Sequence, residues 1–176
     1  RLCIGAGSKG FSGAALMCSL GASRAGAGLV EVFVPEEIYP IVAAAAAPEA
    51  MVKSVTSYRS LLDEPMDVWA VGPGLGKKHA ADLLELIERA EKPMVVDADG
   101  LNILAGNPET LSRCAGPRLI TPHPGEMKRL FPAGQRSRAE TAAAFCDPYP
   151  ATLPPQASRT LVGRRQPPPR SHPTGH

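Results

Sequence analysis

A histidine stands between two prolines, Pro122-His123-Pro124, after the run Leu119-Ile120-Thr121 and before Gly125 and Glu126. Proline fixes its own φ and biases the preceding residue toward extended backbone, so His123 is presented rigidly past a strand end. A lone histidine is usually structural, but this frame makes His123 a candidate ligand contact. Glu126 falls in the first turn of the next helix, where negative charge is favourable. Upstream, the segment VVDADGLN (95–102) releases two carboxylates, Asp97 and Asp99, where a buried run ends. Acids there can hold a magnesium-bound phosphate or a ligand hydroxyl. They can equally cap the following short helix (Asp99) or satisfy loop amides (Asp97).

Two glycine segments add anion-binding chemistry. GAGSKGFSGAA (5–15) precedes a helix, and glycines there let the backbone approach a ligand and aim its N–H groups at an anion. Gly5, Gly7 and Gly10 formally spell the dinucleotide fingerprint, with Glu36 available at the end of the second strand. The bland reading is a tight turn. GPGLG (72–76) follows a second apolar run, with Lys77 and Lys78 behind it. It is not a Walker A loop, because Val71 stands where a glycine is required and no Ser or Thr follows the lysine.

These segments need elements to hold them. Strands are expected at 2–4, 29–34, 51–55, 68–71, 94–96 and 119–121. Helices are expected at 12–24 with Ser12 as cap, 36–46, 79–90, 125–130 and 137–145. In the 79–90 helix, Leu83, Leu84 and Ile87 should face inward. Short apolar strands alternating with helices predict a parallel sheet covered on both faces, with ligands beyond the carboxyl ends of its strands.

The 176 residues are 44% hydrophobic and 20% charged, enough for one globular domain with a core. A net charge of +2 and 5% aromatics argue against nucleic acid as a partner. No apolar run approaches the roughly 20 residues of a membrane span, and no secretory signal is visible at the start. Cys3, Cys18, Cys114 and Cys146 form no C-x-x-C pair, and free thiols in a reducing cytosol are expected. The chain begins with Arg1 rather than Met, which suggests a truncated sequence. Composition changes near 147. Residues 148–176 hold eight of the 19 prolines and no acid. The expected division is therefore an α/β domain at 1–147 and a Pro/Arg-rich, degenerate or disordered tail at 148–176.

Taken in order, GSKGFSGAA with RAGAGLV, then GPGLG, DADGLN and TPHPGEM, resemble the NAD(P)H-hydrate dehydratase family over about residues 1–130. The last two together are specific, and a Rossmann oxidoreductase does not explain them. The resemblance implies a ribokinase-like α/β fold of three layers around a doubly wound, mostly parallel sheet, incomplete at the C-terminus. It implies a cytoplasmic repair enzyme, able to form a homo-oligomer as family members often do, with neither nucleic acid nor membrane as partner. The substrate would be (6S)-hydrated NADH or NADPH, which carries an extra hydroxyl at C6 of the nicotinamide ring. ADP or ATP with Mg2+ would supply a phosphate to that oxygen, and elimination would restore the double bond. By motif match, Ala14, Gly74 and His123 would contact the hydrate, with Gly13 and Gly76 beside them. Asp97 and Asn102 would shape the pocket.

The departures lie late in the chain. Gln156-Ala157 occupies the place of the family's nucleotide-clamping Lys-Gly, and residues 171–176 give a partial echo of its Asn-x-Thr-Gly-Asn turn. The Gly-Gly-x-Gly-Asp loop, which gives the family its anion hole and carboxylate base, has no counterpart here. The 176 residues are therefore expected to be inactive alone. Either a reading-frame error or a natural basic tail explains this stretch, and an epimerase domain before residue 1, as in bifunctional relatives, is left open. Two other functions fit the pattern: a small-molecule kinase of the same superfold, of hydroxyethylthiazole-kinase type, and a non-catalytic nucleotide-binding module. Product analysis would separate the first from a dehydratase, and binding without turnover would mark the second.

Overall fold

The computed structural model describes residues 1–132, 134 and 136–153. Its strands are β1 (Leu2–Gly5), β2 (Val30–Pro35), β3 (Ala50–Val55), β4 (Val68–Val71), β5 (Met94–Val96), β6 (Arg118–Ile120) and β7 (Ala151–Thr152). The α-helices among the described residues are α1 (Ser12–Arg24), α2 (Tyr39–Ala45), α3 (Ala80–Arg89), α4 (Asp99–Leu104), α5 (Pro124–Leu130) and α6 (Arg138–Cys146). Short 3-10 turns occupy Glu36–Ile38, Tyr58–Asp63 and Pro108–Arg113.

All seven strands pair in parallel, in the order β3-β2-β1-β4-β5-β6-β7. The α/β, doubly wound expectation holds. From β1 the chain winds outward to β2 and β3, then crosses back to β4 and winds the other way. The boundary between β1 and β4 is thus the topological switch point, the place at which open α/β sheets usually take their ligands. Both faces are covered, so β2 is buried at every position and reads as a continuous apolar run rather than an alternation.

Two apolar clusters flank the sheet. The smaller packs Ile4, Val30, Val32 and Val34 with Ala15 of α1 and Val42 of α2. The larger gathers Phe33, Tyr58, Trp69, Val71, Met94 and Ile120 with Leu83, Leu86 and Ile87 of α3. Leu86 joins the inward stripe of α3, and Leu84, half-buried, packs against the same cluster. Helix α1 starts one residue earlier than a Ser12 cap requires: Phe11 is its cap residue and no side chain closes its first amides. The 36–46 helix is split into a 3-10 turn and α2, because Pro40 favours a fresh start. The packed fold continues past 147, since β7 pairs with β6 and buries Ala151 and Leu153. Gln156, Ala157 and the partial echo at 171–176 lie outside the described residues.

One buried charge needs a physical account. Arg118 is 2% exposed and has no carboxylate partner among the described residues. Its guanidinium donates instead to carbonyls: Ile87 O at 2.7 Å, Pro117 O at 3.0 Å, Lys92 O at 3.2 Å, and Ala90 O. Ile87 and Ala90 belong to the end of α3, where carbonyls lack helical partners and attract a cation. Burial lowers the Arg118 pKa. Arg118→Met should cost about 3 kcal/mol, because several buried carbonyls lose their donors at once. Urea unfolding measures it, and Arg118→Lys should recover part.

The four cysteines are free, and burial raises every one of their thiol pKa values, which makes them poor nucleophiles. No helix among the described residues is long and apolar enough to cross a membrane.

Candidate functional site

The chemistry-bearing segments leave the carboxyl ends of β1, β4, β5 and β6, and parallel pairing sets their ends level. Gly5 is registered with Val71, and Val71 with Val96. The loops after β1 and β4 therefore face each other across the switch point.

Three hydrogen bonds fasten those two loops. Gly7 N donates to Pro73 O at 2.8 Å, Ser8 Oγ to Gly74 O at 2.7 Å, and Gly72 N to Gly5 O at 3.1 Å. Gly74 has φ +66°, and a Cβ there would lie 2.8 Å from the Ala14 Cβ. So Ala14, in the first turn of α1, is in contact with the Gly74 backbone. Gly13 beside it is exposed, with nothing within 4 Å of a would-be Cβ. The first turn of α1 contains no acidic residue and no side-chain cap. Ala14 N donates to Phe11 O at 3.1 Å, which leaves the amides of Ser12 and Gly13, with the helix dipole, for an anion.

The β4 loop is tied on its other side to β5. Gly76 N donates to Asp99 Oδ2 at 2.9 Å. Asn102 Nδ2 donates to Asp99 Oδ1 at 3.3 Å, and Arg129 Nε on α5 donates to Asn102 Oδ1 at 3.1 Å. Asp99 therefore clasps the glycine loop rather than capping α4, whose cap residue is Ala98. Asp97 Oδ1 accepts from Ala98 N at 2.8 Å, the loop-amide role open to it from sequence. Ala98 is the one non-glycine residue with positive φ (+48°) among the described residues. Such backbone strain persists where surrounding bonds over-determine it, and it concentrates at functional sites.

His123 is the cap residue of α5. Its Nδ1 accepts from Gly125 N at 3.0 Å, and Glu126 Oε2 accepts from His123 N at 2.9 Å. Its Nε2 lies 3.5 Å from Glu126 Oε1. The ring is more than half exposed and Glu126 is buried. His123 is thus locked by two local bonds and open to a ligand.

Ala14 and Gly74 are in contact, and Gly76, Asp99 and Asn102 form one hydrogen-bonded chain. Asp97 meets Gly72 through its backbone. His123 stands apart from this group: its bonds are to Gly125 and Glu126, and only Arg129, farther along the same helix, reaches Asn102. Sequence reasoning missed Ser8, Phe11 and Arg129. Phe11 is 63% exposed beside Gly74, and an exposed aromatic at a loop mouth has no periodic signature. Arg129 lies one turn beyond Glu126, and that spacing could have revealed it.

Magnesium finds no cage here. Among the described residues, no three His, Cys, Asp or Glu side chains group around a common point. Both oxygens of Asp99 are engaged by Gly76 and Asn102. Asp97 and Glu126 likewise accept from loop amides, so the described carboxylates form no cage for a hard cation.

The sequence profile of the NAD(P)H-hydrate dehydratase family matches residues 2–166. A bifunctional NAD(P)H-hydrate repair enzyme from Gloeobacter violaceus is 42% identical over 150 residues, 78% of this chain and 29% of that protein. An ADP-dependent (S)-NAD(P)H-hydrate dehydratase from Neisseria meningitidis is 36% identical over 135 residues, 74% of this chain and 45% of that protein. This chain therefore spans less than half the length of either relative. A crystal structure of the ADP/ATP-dependent NAD(P)H-hydrate dehydratase from Bacillus subtilis, co-crystallized with ATP/Mg2+ and soaked with CoA, superposes with a TM-score of 0.69 at 25% identity. The match covers 93% of this chain and 61% of that one.

Proposed function

Because this chain belongs to the NAD(P)H-hydrate dehydratase family, we propose that it forms the substrate-holding part of an enzyme that dehydrates hydrated NADH or NADPH with ADP or ATP. The observation that carries this reading is the closure of Ala14 against Gly74 at the switch point, beside the uncapped amides of α1. The Ser12 and Gly13 amides suit a nucleotide diphosphate, and the small residues Ala14 and Gly74 leave room for a ring to lie against them.

In this reading, Ala14, Gly74 and His123 contact the hydrated ring, flanked by Gly13 and Gly76. Asp97 and Asn102 shape the adjoining wall, Asp97 by fixing the Ala98 turn and Asn102 by bracing Asp99. The exposed His123 ring, with Nε2 beside Glu126, is the polar contact offered to a ligand oxygen. Phosphate from the nucleotide would convert the C6 hydroxyl into a better leaving group, and magnesium, when bound with it, spreads the phosphate charge. The free thiols fit a reducing, cytoplasmic location.

The 176 residues contain no Gly-Gly-x-Gly-Asp loop, so they lack the family's source of an anion hole and base. Removing one such donor costs about 100–1,000-fold in rate in other enzymes. The purified 176-residue polypeptide should therefore bind the NADH hydrate in calorimetry and form no measurable NADH from it with ADP or ATP and magnesium. Turnover would refute the inactivity, and absence of binding would refute the substrate-holding role.

A further inference from the structure

Arg129 is not among the residues placed against the ligand, yet it begins a hydrogen-bonded chain that ends on the glycine loop. Its Nε donates to Asn102 Oδ1 at 3.1 Å, Asn102 Nδ2 donates to Asp99 Oδ1 at 3.3 Å, and Asp99 Oδ2 accepts from Gly76 N at 2.9 Å. Three separate segments supply these groups: the loop after β4, helix α4 and the second turn of α5.

The chain has a fixed polarity. A guanidinium only donates and an ionised carboxylate only accepts. An asparagine between them has one satisfactory orientation, its oxygen toward Arg129 and its amide nitrogen toward Asp99. Asp99 is then held with one oxygen on Asn102 and the other on Gly76 N. Without the arginine, the Asn102 amide is free to turn over. A turned amide presents its oxygen to the Asp99 carboxylate, which repels it, and the clasp on Gly76 loosens.

Helix α5 is shaped for this reach. Helical side chains lean toward the N-terminus, which carries Arg129 back over the turn that begins near Gly125. Its Nη1 lies 3.8 Å from the point that a Gly125 Cβ would occupy, and His123 Cε1 lies 2.8 Å from the same point. The guanidinium and the imidazole therefore both border the space that glycine leaves open.

We propose that Arg129 is a positioning residue: acting through Asn102 and Asp99, it holds Gly76, and with it the 72–76 loop, in the shape that receives the ligand. This rests on the repair reading of that loop. A direct pull of the same cation on a ligand phosphate would not pass through Asn102, and a double-mutant cycle separates the two.

Calorimetric titration of the 176-residue chain with the NADH hydrate, and amide hydrogen exchange at Gly76 followed by NMR, test the proposal. Arg129→Ala should weaken hydrate binding about three- to tenfold and speed Gly76 exchange by a similar factor. Arg129→Lys, still a donor, should restore most of both. Arg129→Glu should be worse than alanine, because a carboxylate there draws the Asn102 amide away from Asp99. In an Asn102→Ala background, Arg129→Ala should change neither readout further. Arg129 is exposed, so its variants should keep the wild-type melt. Unchanged Gly76 exchange in Arg129→Ala overturns the proposal, and so does an equal loss of affinity with and without Asn102. If the wild-type chain does not bind the hydrate, the repair reading falls, and Gly76 exchange alone decides the positioning role.

Discussion

Gly72→Ala should leave the chain unfolded. Gly72 has φ +128°, a region that side chains other than hydrogen rarely enter. A Cβ there would lie 1.8 Å from Asp97 O, 2.9 Å from Asp97 C and 3.0 Å from Gly100 N. All three are backbone atoms, so no flexible side chain can yield. Relief would need the ends of β4 and β5 to part. That would break the bond from Asp97 N to Val71 O and disturb the start of α4. The loss should exceed about 4–5 kcal/mol, a large share of the roughly 5–15 kcal/mol that holds a domain together. Far-UV circular dichroism and thermal melting check it. Gly106→Ala is the control: Gly106 is exposed and its would-be Cβ meets nothing closer than 3.6 Å. A cooperative, wild-type melt from Gly72→Ala would contradict the packing of these two strand ends.

Gly74→Ala should fold and lose substrate affinity. Here a Cβ meets the Ala14 Cβ at 2.8 Å and the Phe11 Cβ at 3.0 Å, both at the start of α1. That helix start can give by a few tenths of an ångström. The left-handed backbone at φ +66° adds a penalty of about 1–2 kcal/mol for alanine. The free loop relaxes away from its present shape, and binding must restore it. The hydrate dissociation constant should rise about tenfold, the equivalent of about 1.4 kcal/mol. The melting temperature should fall by about 2–4 °C per kcal/mol of strain retained in the folded loop. An unchanged dissociation constant would remove Gly74 from the substrate contact.

The two glycines also mark how far the amino-acid sequence is legible by itself. Glycine and proline constrain the backbone directly, so the loops at 72–76 and 122–124 could be placed at strand ends from residue type alone. The parallel sheet was legible because β2 and β4 are short, β-branched or apolar, and bounded by Gly or Pro. Contacts between loops were not legible. Ala14 meets Gly74, and Ser8 holds its carbonyl, only because β1 and β4 are neighbours in level register, a long-range fact with no local signature. Asp99 looked like a helix cap because Asp at a helix start usually is one; tertiary pairing with Gly76 N overrides that habit. The turn at Tyr58–Asp63 escaped notice because a 3-10 turn has no 3.6-residue stripe, although it supplies the Tyr58 that fixes His79. β7 escaped because two residues among prolines carry no strand pattern, and the outermost position among the described strands tolerates that.

A crystal structure of this chain grown with the NADH hydrate would locate the ligand. The hydrated ring should lie against the joined Ala14 and Gly74, within reach of His123, with the diphosphate over the first turn of α1. A ring bound on any other face, with the switch point between β1 and β4 holding only solvent, would contradict the site described here.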